Sequence, residues 1–269
     1  MSKVRRSFSA TSLPGFSTVA VATFVMLYLP ILTLVFYSFN ESESISQWGG
    51  FSLKWYAVAW ENDQVRKAAG FTLLVATLAA VISTAVATMA AIGTTRRKAF
   101  KGQTLIYVAI NQPLMVPEIV TAVALLIFFA SLRKLTGYSG IGYMVAAHTA
   151  FCIPFAYLPI RARLEGMDLT LETAAADLYA SDWQVFRHVT LPLLLPGVLA
   201  GAMLAFVTSL DTVVITEFIK APGQDTLPTY MLGQLRRAMK PDVNAISTGL
   251  LLLTLIMLFA FFLLTRKRA

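Results

Sequence analysis

The chain has 269 residues, of which 57% are hydrophobic and only 13% are charged. Its mean hydropathy of +0.69 indicates a protein that folds in a lipid bilayer, and it excludes an ordinary soluble enzyme. The formal net charge is +8, but the basic residues lie in short segments between apolar stretches, so we expect no nucleic-acid partner.

Six apolar windows are each long enough to cross about 30 Å of hydrocarbon as a helix. We therefore predict an all-α membrane protein with six transmembrane helices in a single domain that covers residues 1–269. The windows are about 16–39, 71–93, 104–132, 143–160, 191–217 and 243–265. The second and fifth windows repeat small residues every four positions, as at Gly197, Gly201 and Ala205, a pattern that lets helix backbones approach closely.

The lysines and arginines are distributed unevenly between the two sides of this zigzag. Thirteen of the 22 fall on the side that carries both termini, so the positive-inside rule predicts that both termini are cytoplasmic. The first window is too long for a cleaved signal peptide, and Asn40-Glu41-Ser42 after it offers no small-residue cleavage site. We therefore expect this window to be retained.

Motifs for nucleotide binding, zinc proteolysis or nucleophilic hydrolysis do not occur in the sequence, so we predict no catalytic residue, no metal site and no cofactor in this chain. His148 falls inside the fourth window, where a hydrogen bond between helices is favoured over a ligand role. His188 is expected at the surface. Cys152 is the single cysteine, and we predict that it is an inert core residue.

Acidic residues, but no lysine or arginine, interrupt two of the windows. Carboxylates in membrane helices usually face a bundle interior or a water-filled cavity. We predict a translocation path for a cation that includes Glu118 and Asp211, with Asn111 and Glu217 as further members. The alternative for the first two is a structural bond to a neighbouring helix, and for Glu217 a solvated helix end. An intramembrane enzyme would need a paired constellation, and Glu118, Asp211 and His148 lie in three different windows.

A polar segment between the fourth and fifth windows, about residues 165–190, has the pattern of a docking element. A capping box from Ser181 to Gln184 predicts that a second short helix starts there. Pro192 then predicts a stiff entry into the fifth window. The preceding helix presents one face of apolar residues, two of them small, namely Leu171, Ala174, Ala175 and Leu178.

This segment resembles the cytoplasmic coupling loop of ATP-binding-cassette importer permeases. The family pattern is Glu-Ala-Ala, three residues, Gly, nine residues and Ile-x-Leu-Pro, and its spacing fits Ala174, Ala175, Val189 and Leu191-Pro192. The resemblance implies a helix-turn-helix that docks on an ATPase. The implied docking residues are Leu171, Thr173, Ala174, Ala175, Asp177, Leu178, Tyr179, Ser181 and Pro192.

Two positions of the loop depart from the family pattern. Thr173 stands where the family has glutamate, and Tyr179 stands where it has glycine, while Glu172 comes one place early. These departures put the turn geometry and the docking of the ATPase in question.

Segments 29–40, 116–120, 209–218 and 242–248 resemble the permeases of spermidine/putrescine importers. The resemblance implies a type I, MetI-like importer permease in the bacterial inner membrane that is not itself an enzyme. Implied partners are a second permease, preferably different, two ATPase subunits that bind ATP and Mg, and a periplasmic substrate-binding protein, which we expect to meet the loop 220–240.

Polyamines are the leading cargo, and ferric iron, thiamine, an opine or an aminophosphonate are the alternatives within the same class of importer. A secondary carrier is the alternative of another class, although the two halves of the chain show no convincing internal repeat of the kind common in carriers.

Overall fold

The computed structural model describes residues 16–44, 47–96, 99–237 and 241–266, which form α-helices and no regular strand. A short π-helical turn, Phe186–Thr190, leads into the ninth helix. The helices in chain order are α1 Phe16–Tyr37, α2 Lys54–Glu61, α3 Asp63–Thr95, α4 Gln103–Met115, α5 Glu118–Thr136, α6 Gly142–Glu165, α7 Thr170–Asp177, α8 Asp182–Val185, α9 Leu191–Asp211, α10 Val214–Ile219, α11 Leu227–Arg237 and α12 Asp242–Arg266.

Within the described residues, 6 helical segments are long and apolar enough to cross a membrane. They correspond to α1, α3, α5, α6, α9 with the short helical turns before it, and α12. The all-α class and the six membrane helices predicted from the windows are therefore confirmed. Two shorter helices, α2 and α11, begin at Lys54 and at Leu227.

The third window is not one continuous helix, which corrects the prediction of a span over 104–132. Helix α4 ends at Met115 and α5 begins at Glu118. Val116 between them is extended, with φ −103° and ψ 136°, because the ring of Pro117 disfavours the helical region for the residue before it. Glu118 therefore begins a helix instead of lying in the middle of one.

The fifth window is also interrupted, so the predicted span 191–217 is too long. Helix α9 ends at Asp211, Thr212 has φ −66° and ψ 109°, and the short helix α10 starts at Val214. Residues 212–216 are all β-branched, and such side chains have restricted rotamers and lower helix propensity. This run is the local reason that we assign to the break.

Helices α3, α6 and α9 pack through small residues. A Cβ atom added at Gly201 would lie 2.7 Å from the backbone oxygen of Ala156, and one at Gly197 would lie 2.6 Å from Cβ of Arg163. The small-residue pattern therefore marks a close helix contact, as predicted. The buried core here contains Ala76, Ala80, Ala87, Ala91, Cys152, Ala156, Tyr157, Ile160, Leu164, Leu194, Ala205, Phe206 and Leu210.

The chain divides into two compact units. One comprises residues 1–61 and 238–252, and the other comprises residues 62–237 and 253–269. In the first, the Asn40 side chain organises the loop after α1, because Nδ2 donates to the Gln47 oxygen at 2.7 Å and Oδ1 accepts from the Gly49 N–H at 2.8 Å. All the candidate sites lie in the second unit, and the single domain over 1–269 stays a prediction.

Candidate functional site

Two carboxylates lie at the ends of the broken helices. Glu118 is the first residue of α5, and Asp211 is the last residue of α9. The Glu118 carboxylate lies against the backbone N–H of Ile215 in the first turn of α10, and it is close enough to Asp211 for the two charges to interact. Its Oε1 is buried without a hydrogen-bond partner among the described residues. We call Glu118 and Asp211 the acidic pair.

The break between α9 and α10 is held by His148 of α6, which is only 1% exposed. Its Nδ1 lies 2.8 Å from the Ser209 hydroxyl on α9, and its Nε2 lies 2.9 Å from the Thr216 hydroxyl on α10. Thr216 uses its hydroxyl hydrogen on the Thr212 oxygen at 2.8 Å, so it accepts from His148. The ring therefore carries a hydrogen on Nε2, and its two bonds agree with the predicted hydrogen bond between helices.

The other two residues predicted for the path have different surroundings. The amide nitrogen of Asn111 donates to the Tyr107 oxygen in its own helix at 2.8 Å. Glu217 forms ion pairs with Lys220 at 2.8 Å and with Arg236 at 3.5 Å. Glu118 and Asp211 are thus near enough for their charges to interact, while the charge of Glu217 is engaged by basic side chains after α10.

The segment 165–190 forms two short helices joined by a tight turn. The predicted capping box is present, since Gln184 Oε1 accepts from the Ser181 N–H at 2.8 Å and the Ser181 hydroxyl caps α8. At the end of α7, the Ala180 N–H donates to the Ala175 oxygen at 3.2 Å and the Tyr179 N–H to the Ala176 oxygen at 2.9 Å. These two bonds are those of a Schellman motif with Tyr179 at the position after the C-cap.

Tyr179 adopts the left-handed conformation, with φ 62°. Glycine is the usual residue at this position of a Schellman motif, because a Cβ atom is disfavoured there. The glycine of the family pattern therefore has a conformational reason, and Tyr179 keeps the turn at a cost in backbone strain. The Tyr179 ring is 98% exposed, so packing within the described residues does not compensate for this strain.

The predicted docking face is largely open. Leu171 and Leu178 are exposed, as is Trp183 at the start of α8, and Ala174 is exposed whereas Ala175 is half-buried. Thr173 is also exposed and donates its hydroxyl to the Leu169 oxygen at 3.1 Å. Asp177 and Ser181 are exposed beside the turn.

Glu172, which stands one place before the glutamate of the family pattern, points into the protein. Its Oε1 lies 3.2 Å from Arg96 Nη2 at the end of α3, and it accepts a hydrogen bond from the Thr190 hydroxyl at 2.9 Å. Because Glu172 is one position before Thr173, its side chain is rotated about 100° around the helix. It therefore connects α7 to the end of α3 and to the π-helical turn before α9.

The loop is anchored at both ends. Before α7, hydrogen bonds from the side chain and the backbone N–H of Thr170 lower the pKa of the Asp168 carboxyl below its usual value. These hydrogen bonds to the Asp168 carboxylate are lost only as the pH falls through that lowered pKa. After α8, the Leu191 N–H donates to the Phe186 oxygen in the π-helical turn that leads into Pro192. Such turns recur where a helix must accommodate an irregularity.

Comparison with known families identifies the chain. Residues 83–267 match the family described as "Binding-protein-dependent transport system inner membrane component". The chain belongs to this family. It is a permease of the ATP-binding-cassette importer class and a multi-pass inner-membrane protein, as the coupling-loop resemblance predicted, and it is not expected to catalyse a reaction itself.

Relatives of known transport systems match this permease over most of its length. It is 36% identical over 231 residues to the putrescine transport system permease protein PotI of Escherichia coli K12, covering 85% of this chain and 82% of PotI. It is 34% identical over 254 residues to the spermidine/putrescine transport system permease protein PotC of the same organism, covering 94% of each chain. PotC of Haemophilus influenzae is 35% identical over 245 residues, covering 91% of this chain and 93% of that one.

Solved structures of other transporters have the same fold. A bacterial transporter involved in the import of the acidic polysaccharide alginate matches with a TM-score of 0.72 at 15% identity, covering 92% of each chain. The MetNI methionine transporter matches with a TM-score of 0.64 at 18% identity, covering 79% of this chain and 98% of that one. These similarities support the predicted type I, MetI-like permease fold.

Proposed function

We propose that this permease forms half of the path of an ATP-driven importer that carries polyamines such as putrescine and spermidine. Polyamines are flexible polycations that carboxylates and aromatic faces can hold. The names of PotI and PotC support this cargo, since each is a permease of a putrescine or spermidine/putrescine transport system.

The observation that carries the proposal is the acidic pair. Helices α4, α9 and α10 contain no lysine or arginine, and the Glu118 carboxylate interacts with a second negative charge instead of a positive one. A cation that passes between these helices relieves the repulsion between the two carboxylates. The carboxylates in turn replace part of the hydration that the cation loses. An anionic cargo would be repelled at the same place.

The proposal includes partners and an orientation. A second permease, preferably a different one, completes the path, and two ATPase subunits bind ATP and Mg and dock on the segment 165–190. Both termini and this segment lie in the cytoplasm, which agrees with the larger number of basic residues on that side. A periplasmic binding protein delivers the cargo to the opposite face.

Neutralising the acidic pair tests the cargo assignment. In reconstituted vesicles that contain the whole complex, Glu118→Gln and Asp211→Asn should each slow the uptake of putrescine and spermidine about 5- to 150-fold, which corresponds to the roughly 1–3 kcal/mol expected for a hydrogen bond to a charged group. Both substitutions nearly preserve size, so they isolate the effect of charge.

The matched control is Glu61→Gln, which neutralises an exposed glutamate at the end of α2. This control should transport at the wild-type rate, and all three variants should assemble with their partners in normal amounts. Wild-type uptake by both acidic-pair variants would refute a cation path through Glu118 and Asp211.

A further inference from the structure

A polar cleft of about 450 Å³ lies between the start of α3 and α11. We call it the basic cleft, and its charged and amide-bearing lining residues are Gln64, Lys67, Lys220, Asp225, Gln234 and Arg237. Glu118 and Asp211 do not line it. It is therefore a separate feature from the proposed cation path.

The walls of the basic cleft are fixed by bonds between the two helices. The Leu227 N–H donates to the buried Thr72 hydroxyl at 2.7 Å, and the Asn62 amide donates to the Tyr230 hydroxyl at 3.3 Å. The hydroxyl of Thr229 accepts from the Thr226 N–H at 3.0 Å and so caps the start of α11. The cleft is thus preformed, and a partner that enters it does not have to order it first.

Lys220 is a fixed part of this wall. Its Nζ lies 2.7 Å from Asp225 Oδ1 and 2.8 Å from Glu217 Oε2. Burial acts to lower the pKa of Lys220, but hydrogen bonds to Asp225 and Glu217 outweigh it, and the pKa lies above its ordinary value. Lys220 is therefore cationic and already paired.

Two other cations of the cleft have no such partner. Arg66 forms an ion pair with the nearby Asp63, and Arg236 forms an ion pair with Glu217 at 3.5 Å. Among the described residues no carboxylate forms an ion pair with Lys67 or Arg237. Arg236 and Arg237 are adjacent in α11, but only Arg237 lines the cleft.

We propose that the basic cleft receives acidic side chains of the periplasmic binding protein when that protein docks on the permease. This inference rests on the proposed function, which requires a binding protein on this face. Two cations that form no ion pair among the described residues, beside the amides of Gln64 and Gln234, provide the donors that carboxylates need.

Charge reversal in the cleft tests this proposal. The whole complex, held in discs of neutral phosphatidylcholine, is tested for binding of cargo-loaded binding protein with Lys67→Glu and Arg237→Glu combined. We expect about a tenfold slower association at low salt, since attractive charges raise association rates by about 10- to 1000-fold. The difference should shrink at about 0.5 M salt, where screening is strong, and basal ATP hydrolysis should be unchanged.

Arg66→Glu is the control, because Arg66 is adjacent to Lys67 on α3 but does not line the cleft. It should bind the carrier normally, and an acidic-to-lysine change on the carrier should restore binding to the Lys67→Glu, Arg237→Glu variant. Normal binding by that variant, or an equal loss with Arg66→Glu, would overturn the proposal. So would a loss seen only in membranes with anionic lipid, since the ligand would then be a headgroup. Normal binding with continued polyamine uptake would reject the cleft and leave the proposed function standing.

Discussion

At the scale of single residues, His148 has the most constrained role. Its two nitrogens bond to hydroxyls on α9 and α10, so one ring spans the break after which α10 begins. Glu118 lies against the first turn of α10. The imidazole therefore positions the helix that borders the acidic pair, although it does not itself belong to that pair.

Removing the acceptor of the His148 hydrogen tests this role. Thr216→Val keeps the shape of the side chain but leaves Nε2–H buried without a partner, which costs about 1–3 kcal/mol. We expect a lower unfolding temperature of the purified complex, whereas Thr216→Ser, which retains the hydroxyl, should unfold near the wild-type temperature. Equal unfolding temperatures for the valine variant and the wild type would show that the bond contributes nothing.

Tyr179 has a strained left-handed backbone conformation, and its exposed ring makes no packing contact with the described residues that would offset the strain. Because a left-handed conformation costs an L-residue roughly 1–2 kcal/mol, Tyr179→Gly should slow the hydrogen exchange of the Ala180 amide by about fivefold or more. Tyr179→Ala is the control, since it removes the ring and keeps the strain. Faster exchange in the glycine variant would contradict the assigned motif.

At the scale of elements, the contact between α6 and α9 depends on Gly201. A methyl group there would meet the Ala156 oxygen at 2.7 Å, so Gly201→Ala should destabilise the protein by about 1–3 kcal/mol through overpacking. The matched control is Gly249→Ala on α12, where an added Cβ meets nothing within 4 Å. Thermal unfolding should separate the two variants, and similar midpoints would mean that the helices can move apart freely.

Some of these helices and helix breaks can be predicted from the sequence more readily than others, because local patterns signal them with different strength. Apolar length and small-residue spacing predict α3, α6 and α9, and Ser181 with Gln184 predicts the start of α8, because each pattern reports a local preference. Pro117 signals the first helix break. The second break falls within the β-branched run 212–216, a signal that could have been noticed but is weaker than a proline.

Long-range partners could not be read from the sequence. The bonds of His148 reach residues 61 and 68 positions away, and the inward turn of Glu172 depends on Arg96, which is 76 positions away. The prediction that Glu118 and Asp211 belong to one path came from their charge and their cost in a membrane, not from a pattern that specifies a distance between them. The basic cleft needed the packing of α11 on α3.

At the scale of the whole molecule, the orientation determines which surface each partner meets. In a Cys152→Ser background, Ser181→Cys should resist a membrane-impermeant thiol reagent applied to intact cells, and Glu61→Cys should react with it. Both positions are exposed in the structure, so a difference in labelling reports the side of the membrane. Labelling of position 181 from outside would reverse the proposed topology.

The central claim is that an ATP-driven complex containing this permease moves polycations. The most direct measurement is ATP-dependent uptake by vesicles that contain the wild-type permeases and ATPase, with the binding protein outside and labelled cargo in parallel reactions. The account predicts uptake of putrescine or spermidine and none of an acidic oligosaccharide. Uptake of an anion, or of ferric iron or thiamine, without either polyamine would contradict the cargo assignment.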